Sequence, residues 1–143
     1  MIITIVGCDR KASDTSADRL TETPDYKYEA TVGHSAISPS GKYRLDVFLE
    51  ESDSRYYFVI VDVKSGEELY KYEGYNGYEL YALHTTWFIW DGDNAEEDVV
   101  WCYSGDLGLF YWRLEGDNWK MHNGGIGEYA PVIFKERRPK DFK

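Results

Sequence analysis

Three histidines, two cysteines and a run of carboxylates are the residues of this chain best suited to chemistry. His34, His84 and His122 lie in three separate segments, and no pair of them has metal-ligand spacing. His84 sits among Leu83, Thr85 and Trp87, the setting of an ordinary strand residue. Ser35, His84 and Asp106 supply the residue types of a hydrolytic triad, but Ser35 stands on no nucleophile elbow. Cys102 is flanked by Trp101 and Tyr103, where a thiol acts as a small hydrophobe. A nucleophilic thiol needs a lowered pKa and access to solvent. Neither Cys8 nor Cys102 belongs to a CxxC pair, which excludes a zinc-ribbon site. A disulfide between them is not expected, because Cys8 precedes the first folded segment and Cys102 falls in a core strand.

Residues 91–98 carry five acidic side chains, Asp91, Asp93, Glu96, Glu97 and Asp98. Clustered oxygens suit a hard cation, and Asp91 and Asp93 match the opening of an EF-hand loop. Ala95 then occupies a ligand position and the glycine is misplaced, so the loop reads as a solvated acidic surface. Gly124-Gly125-Ile126-Gly127 has no helix after it to supply a phosphate-binding dipole, and reads as a flexible loop. No metal and no cofactor is expected.

The aromatic residues are the unusual feature: 13 Tyr, 5 Trp and 6 Phe in 143 residues. Tyr70, Tyr72, Tyr75, Tyr78 and Tyr81 fall within twelve positions. One small core does not need so many rings, and Tyr and Trp left at a surface favour contact with protein or with sugar faces. Charged neighbours (Lys71, Glu73, Glu79) resemble an interface rim, which places protein above carbohydrate as the expected partner. The five tyrosines and the five acidic residues of 91–98 are the candidate binding residues.

Charge narrows the partner. The chain has 16 basic and 26 acidic residues, net −10. Residues 135–143 hold five basic and two acidic groups, net +3, so the other 134 residues carry 11 basic and 24 acidic groups, net −13. An acidic body repels phosphate backbones and anionic headgroups and steers basic proteins. The basic tail either folds back onto this body or frays into solvent.

The positioning elements have a period of two. Residues 26–32, 43–50, 56–63, 68–75, 83–90, 99–103 and 109–114 read as strands, with a further segment from Trp119. Residues 56–63 are nearly all apolar, as in a central strand buried on both faces. Turn clusters separate the strands: 39–42, 51–55, 64–67, 104–106 and 115–118. No window of eleven or more residues is an amphipathic helix, and no apolar run approaches the ~18 residues of a spanning helix. The expected fold is all-β: one domain with an antiparallel meander of seven to eight strands over residues 26–134, propeller-blade-like or sandwich-like.

Three stretches resemble blades of β-propellers such as the WD-repeat family. They are Ser38-Pro39-Ser40-Gly41-Lys42-Tyr43, Val61-Asp62-Val63-Lys64-Ser65-Gly66-Glu67, and Ser104-Gly105-Asp106-Leu107-Gly108 before Phe110-Tyr111-Trp112. The resemblance implies a blade-type meander. Two blades fit the chain and a ring takes at least four, so a closed propeller is not implied.

The N-terminus carries a second resemblance. An apolar run ends in Ile5-Val6-Gly7-Cys8 and turns polar at Asp9. This is similar to the lipobox of bacterial lipoproteins, which implies a signal segment over 1–8, lipidation of Cys8 and a polar tether over 9–25. The other reading of the same residues is a short edge strand from Ile2 to Val6 followed by a free thiol. Together these readings lead to a non-enzymatic, lipid-anchored protein-binding module of the bacterial cell envelope, touching the membrane only through Cys8. The alternatives are an untethered, cytoplasmic acidic immunity-type protein that blocks a basic toxin or enzyme, and a carbohydrate-binding module.

Overall fold

Leu45 and Val47 alternate with Arg44 and Asp46 along β3 (Tyr43–Glu50), and this period of two decides which face leaves water. The same rule builds the rest of the chain. The computed structural model describes residues 23–142 apart from 75 and 76. Cys8, the lipobox-like run and Tyr75 lie outside the described residues.

After β1 (Glu29–Ala30) and β2 (Ala36–Ile37), β3 runs antiparallel to β4 (Arg55–Asp62). Then follow β5 (Glu68–Tyr72), β6 (Leu80–Tyr81), β7 (Thr86–Trp90), β8 (Val99–Ser104), β9 (Gly108–Glu115) and β10 (Asn118–Asn123). A first sheet has the order β1-β7-β8-β9-β10. A second has the order β2-β3-β4-β5, with β6 also on β4. The fold is therefore all-β, a sandwich of two antiparallel five-stranded sheets; seven of its ten strands have five or more residues.

The inner faces of both sheets make one core. Leu45, Tyr56, Phe58, Ile60 and Tyr72 meet Phe88, Trp90, Val100, Cys102, Phe110 and Trp112. Phe58 stands at its centre, edge-on to Trp112 at 4.9 Å and stacked on Tyr72 at 5.7 Å. Such ring pairs add about 0.5–1.5 kcal/mol each beyond the area they bury.

Several boundaries differ from expectation, each for a local reason. Residues 26–32 yield only the two residues of β1, because Glu29 N–H bonds the Tyr26 carbonyl and Thr31 pairs with His34 in a tight reversal. That reversal carries the chain from the first sheet to the second. The strand expected over 83–90 starts at Thr86, since His84 N–H turns back to the Tyr81 carbonyl while the chain crosses to the first sheet. The strand expected over 68–75 ends at Tyr72. Residues 56–63 do form an interior strand, but Tyr57 remains half-buried. The strand buried along its whole length is β8.

β8 is buried on both faces because the C-terminal residues cover it. A short helix, α1 (Val132–Arg137), and a 3-10 turn (Pro139–Asp141) lie on the outer face of the first sheet. They form a second core with Ile89, Val99, Trp101, Tyr103 and Leu109, in which Phe134 is fully buried. The basic tail thus folds back instead of fraying. At six residues, α1 is too short to display helical periodicity in the sequence. Thr23 and Asp25, expected in the tether, already contact the folded body through His34 and Arg137.

Candidate functional site

The acidic loop between β7 and β8 is a clamp more than a charged surface. Asp91 is only 6% exposed. Its Oδ1 accepts the Asp93 N–H at 3.0 Å and its Oδ2 accepts the Trp101 indole N–H at 3.2 Å. Burial, ahead of its hydrogen bonds, raises the Asp91 pKa above the ordinary carboxylate value. Asp93 accepts the Val132 N–H at the start of α1, 2.9 Å away. Asp98 accepts the backbone N–H of Ser40 at 3.2 Å and also its hydroxyl, tying the loop to the turn before β3. Glu97 meets Arg113 at 2.9 Å. Glu96 alone among the five has a side chain without a partner among the described residues. Asp91 is therefore withdrawn from the binding set, and the others are largely occupied within the fold.

Gly92 shows how close this packing is. A Cβ there would lie 2.6 Å from the Tyr26 hydroxyl and 2.6 Å from the Tyr28 ring, so only glycine lets the loop pass these tyrosines.

The tyrosine cluster divides in the same way. Tyr72, 3% exposed, is a core residue whose hydroxyl donates to the Tyr78 carbonyl at 3.0 Å, and it is likewise withdrawn. Tyr70 packs its ring against Phe58 from the edge of that core. Tyr78 is 44% exposed and lies edge-on to Phe110. Tyr81 is 39% exposed. Two cores, where one was expected, take up most of the aromatic residues, and all five tryptophans are buried or half-buried.

Tyr81 belongs to a surface that the sequence reading missed. Its register with Arg55 sets it on the outer face of the second sheet, beside Tyr57. There Phe48 stacks on Tyr57 at 5.0 Å with the planes 17° apart, and the Lys71 ammonium stands 4.8 Å from the Tyr57 ring. Ile37 and Leu69, 45% and 41% exposed, lie farther along the strands, level with Arg44 and with residues 60–61 of β4. One signal was legible: Phe48 is the only aromatic residue in the otherwise polar phase of β3, after Arg44 and Asp46. The outer face of the first sheet differs, because the C-terminal strap covers it.

Ser35, His84 and Asp106 are not joined as a triad among the described residues. His84 lies 3.9 Å from Asp106, both half-exposed, and no hydrogen bond joins Ser35 to His84 among the described residues. His122 bonds Glu115 at 2.6 Å and stacks on Tyr111. Among the described residues no group of three or more His, Cys, Asp or Glu side chains could hold a metal ion. Burial pushes the Cys102 thiol far above its ordinary pKa, which leaves it protonated and inert. Gly124 and Gly125 connect β10 to the strap, and a Cβ at Gly124 would lie 2.8 Å from both Leu109 and Trp101.

Among the described residues, two of the clefts open at opposite ends of the sandwich. One, of about 420 Å³, lies where the chain crosses between the sheets and is lined by Val47, Tyr56, Phe88, Asp25, Glu29 and His84. The other, of about 480 Å³, is bounded by Ser40, Tyr43, Trp119 and residues 94–98 of the acidic loop. No protein-family model, curated protein or solved structure matches this chain.

Proposed function

We propose that this protein is a non-catalytic binding module that contacts a protein partner and is held at a bacterial membrane by lipidation of Cys8. The observation that carries the binding part is one end of the outer face of the second sheet, where Phe48 stacks on Tyr57 under the Lys71 ammonium and exposed Tyr81 pairs with Arg55 on the same face. Contiguous exposed aromatic and aliphatic side chains with a polar surround are the ordinary composition of a docking surface. The net charge of −10 favours a basic partner by steering its approach. The anchor rests on Ile5-Val6-Gly7-Cys8 alone.

Both parts are tested in a bacterium that expresses the chain from its own gene. A clickable palmitate should label the protein, and Cys8→Ser should abolish the label and release the protein from the membrane fraction. A photo-crosslinking residue in place of Tyr57 should give one discrete protein adduct. That adduct should disappear in Phe48→Ser/Tyr81→Ser. An unlabelled wild type removes the anchor and leaves the untethered acidic inhibitor as the reading. Absence of any adduct removes the docking face.

A further inference from the structure

The strap over the first sheet shows what its outer face can hold. Phe134 stacks on Trp87 at 5.7 Å and lies against Tyr103 at 6.1 Å. Three residues on, the Arg137 guanidinium sits 5.0 Å over the same Trp87 ring. Its nitrogens donate to both oxygens of Glu29, at 2.6 and 3.1 Å, and to Asp25 at 2.8 Å. Arg138 lies 5.8 Å over Tyr103, whose hydroxyl donates to Asp141 at 2.7 Å. The face is thus an aromatic row with carboxylates at one edge, and its resident ligand is a basic segment with an aromatic anchor.

That ligand is held by tertiary contacts and not by its own helix. A helix of six residues has no stability of its own away from the sheet. Its start is fastened from outside, with Pro131 fully buried and the Val132 N–H accepted by Asp93, and the chain between β10 and α1 contains Gly124, Gly125 and Gly127. Gly127 has φ +86°, and a Cβ there would lie 2.6 Å from the Phe142 ring, so this residue sets the path along which the strap docks.

We propose that the outer face of the first sheet is a receptor for a basic peptide segment that carries an aromatic residue three positions before an arginine, and that the strap holds this receptor closed until such a segment displaces it. This goes beyond the reading above and does not depend on it, since it concerns the opposite sheet. The occupant is a partner's segment and not the strap of a second copy, by charge: a second copy brings a net −10 with its strap, whereas a basic partner offers the same contacts with attraction. In cis the strap acts at an effective concentration on the order of millimolar, so a free segment of equal quality competes poorly until the strap is weakened.

The test uses the full-length chain and a fluorescent synthetic peptide of residues 131–143. Arg137→Glu sets a carboxylate against Glu29 and Asp25 and should release the strap, seen as faster hydrogen exchange over 132–137. The peptide should then bind Arg137→Glu at least tenfold more tightly than wild type. That binding should weaken as salt rises and fall at least tenfold when Glu29→Gln and Asp25→Asn are added. Arg137→Gln should give the same order with a smaller effect, and serves if Arg137→Glu does not fold. Equal peptide affinity for wild type and variant, a released strap with no peptide binding, or a variant that dimerises in place of binding peptide would each overturn the proposal.

Discussion

Trp101 donates its indole N–H to the carboxylate of Asp91, 3.2 Å away and ten residues earlier in the chain. The bond fastens the base of the acidic loop to the second core, because Trp101 lies under the strap. Asp91→Ala should therefore lower the unfolding free energy by about 1–3 kcal/mol, the cost of leaving buried donors unpaired. Glu96→Gln in the same loop should change it by less than ~0.5 kcal/mol. Urea unfolding of the two variants beside wild type decides this, and equal effects would mean that the loop is not a clamp.

Two aspartates should titrate in opposite directions from the ordinary value of 3.8. Hydrogen bonds from Ser65 hold Asp62 below it, so the stability Asp62 contributes is present above 3.8 and lost as pH falls through its folded value. Burial holds Asp91 above it, so its contribution is full below 3.8 and lost as pH rises through its folded value. Side-chain carboxyl NMR should place the Asp62 midpoint below that of Asp91, and the reverse order would contradict both assignments.

Cys102 should resist thiol reagents in the native protein. Its side chain is completely buried in a strand covered on both faces, so labelling must wait for unfolding. The labelling rate should follow the unfolding rate as denaturant is added. Rapid modification in native buffer would show that β8 is not a core strand.

Phe58→Ala should cost about 3–5 kcal/mol, because it empties the centre of the inter-sheet core. Tyr72→Phe keeps the ring and loses the bond to the Tyr78 carbonyl, so about 0.5–1.5 kcal/mol is expected. Thermal unfolding of both variants gives the comparison. A Tyr72→Phe cost as large as that of Phe58→Ala would mean that the polar bond, not the ring, holds Tyr72.

Strand identity was legible in the sequence wherever alternation ran five residues or more, as in 43–50 and 109–114. Of the segments that failed, 31–32 and 83–85 are apolar enough for strands but serve as crossings between sheets, and 26–28 turn back on themselves before β1. Only the partner sheet decides that. The strap was illegible for a related reason. Phe134 and Arg137 acquire meaning from Trp87 and Glu29, and no local pattern records a contact between residues 108 positions apart. The acidic loop misled because composition counts carboxylates without saying where they point. Asp91, Asp93 and Asp98 all point inward to N–H or O–H donors.

The pairing of β1 with β7 has a consequence in time. Ribosomes deliver the chain from the N-terminus, and Glu29 must wait for Ile89 before it has a sheet to join. The second sheet can zip through successive hairpins as soon as residue 81 has emerged. Until β7 to β10 follow, its inner face of Tyr56, Phe58, Ile60 and Tyr72 faces water, so a stalled or truncated chain is a sticky half-sandwich.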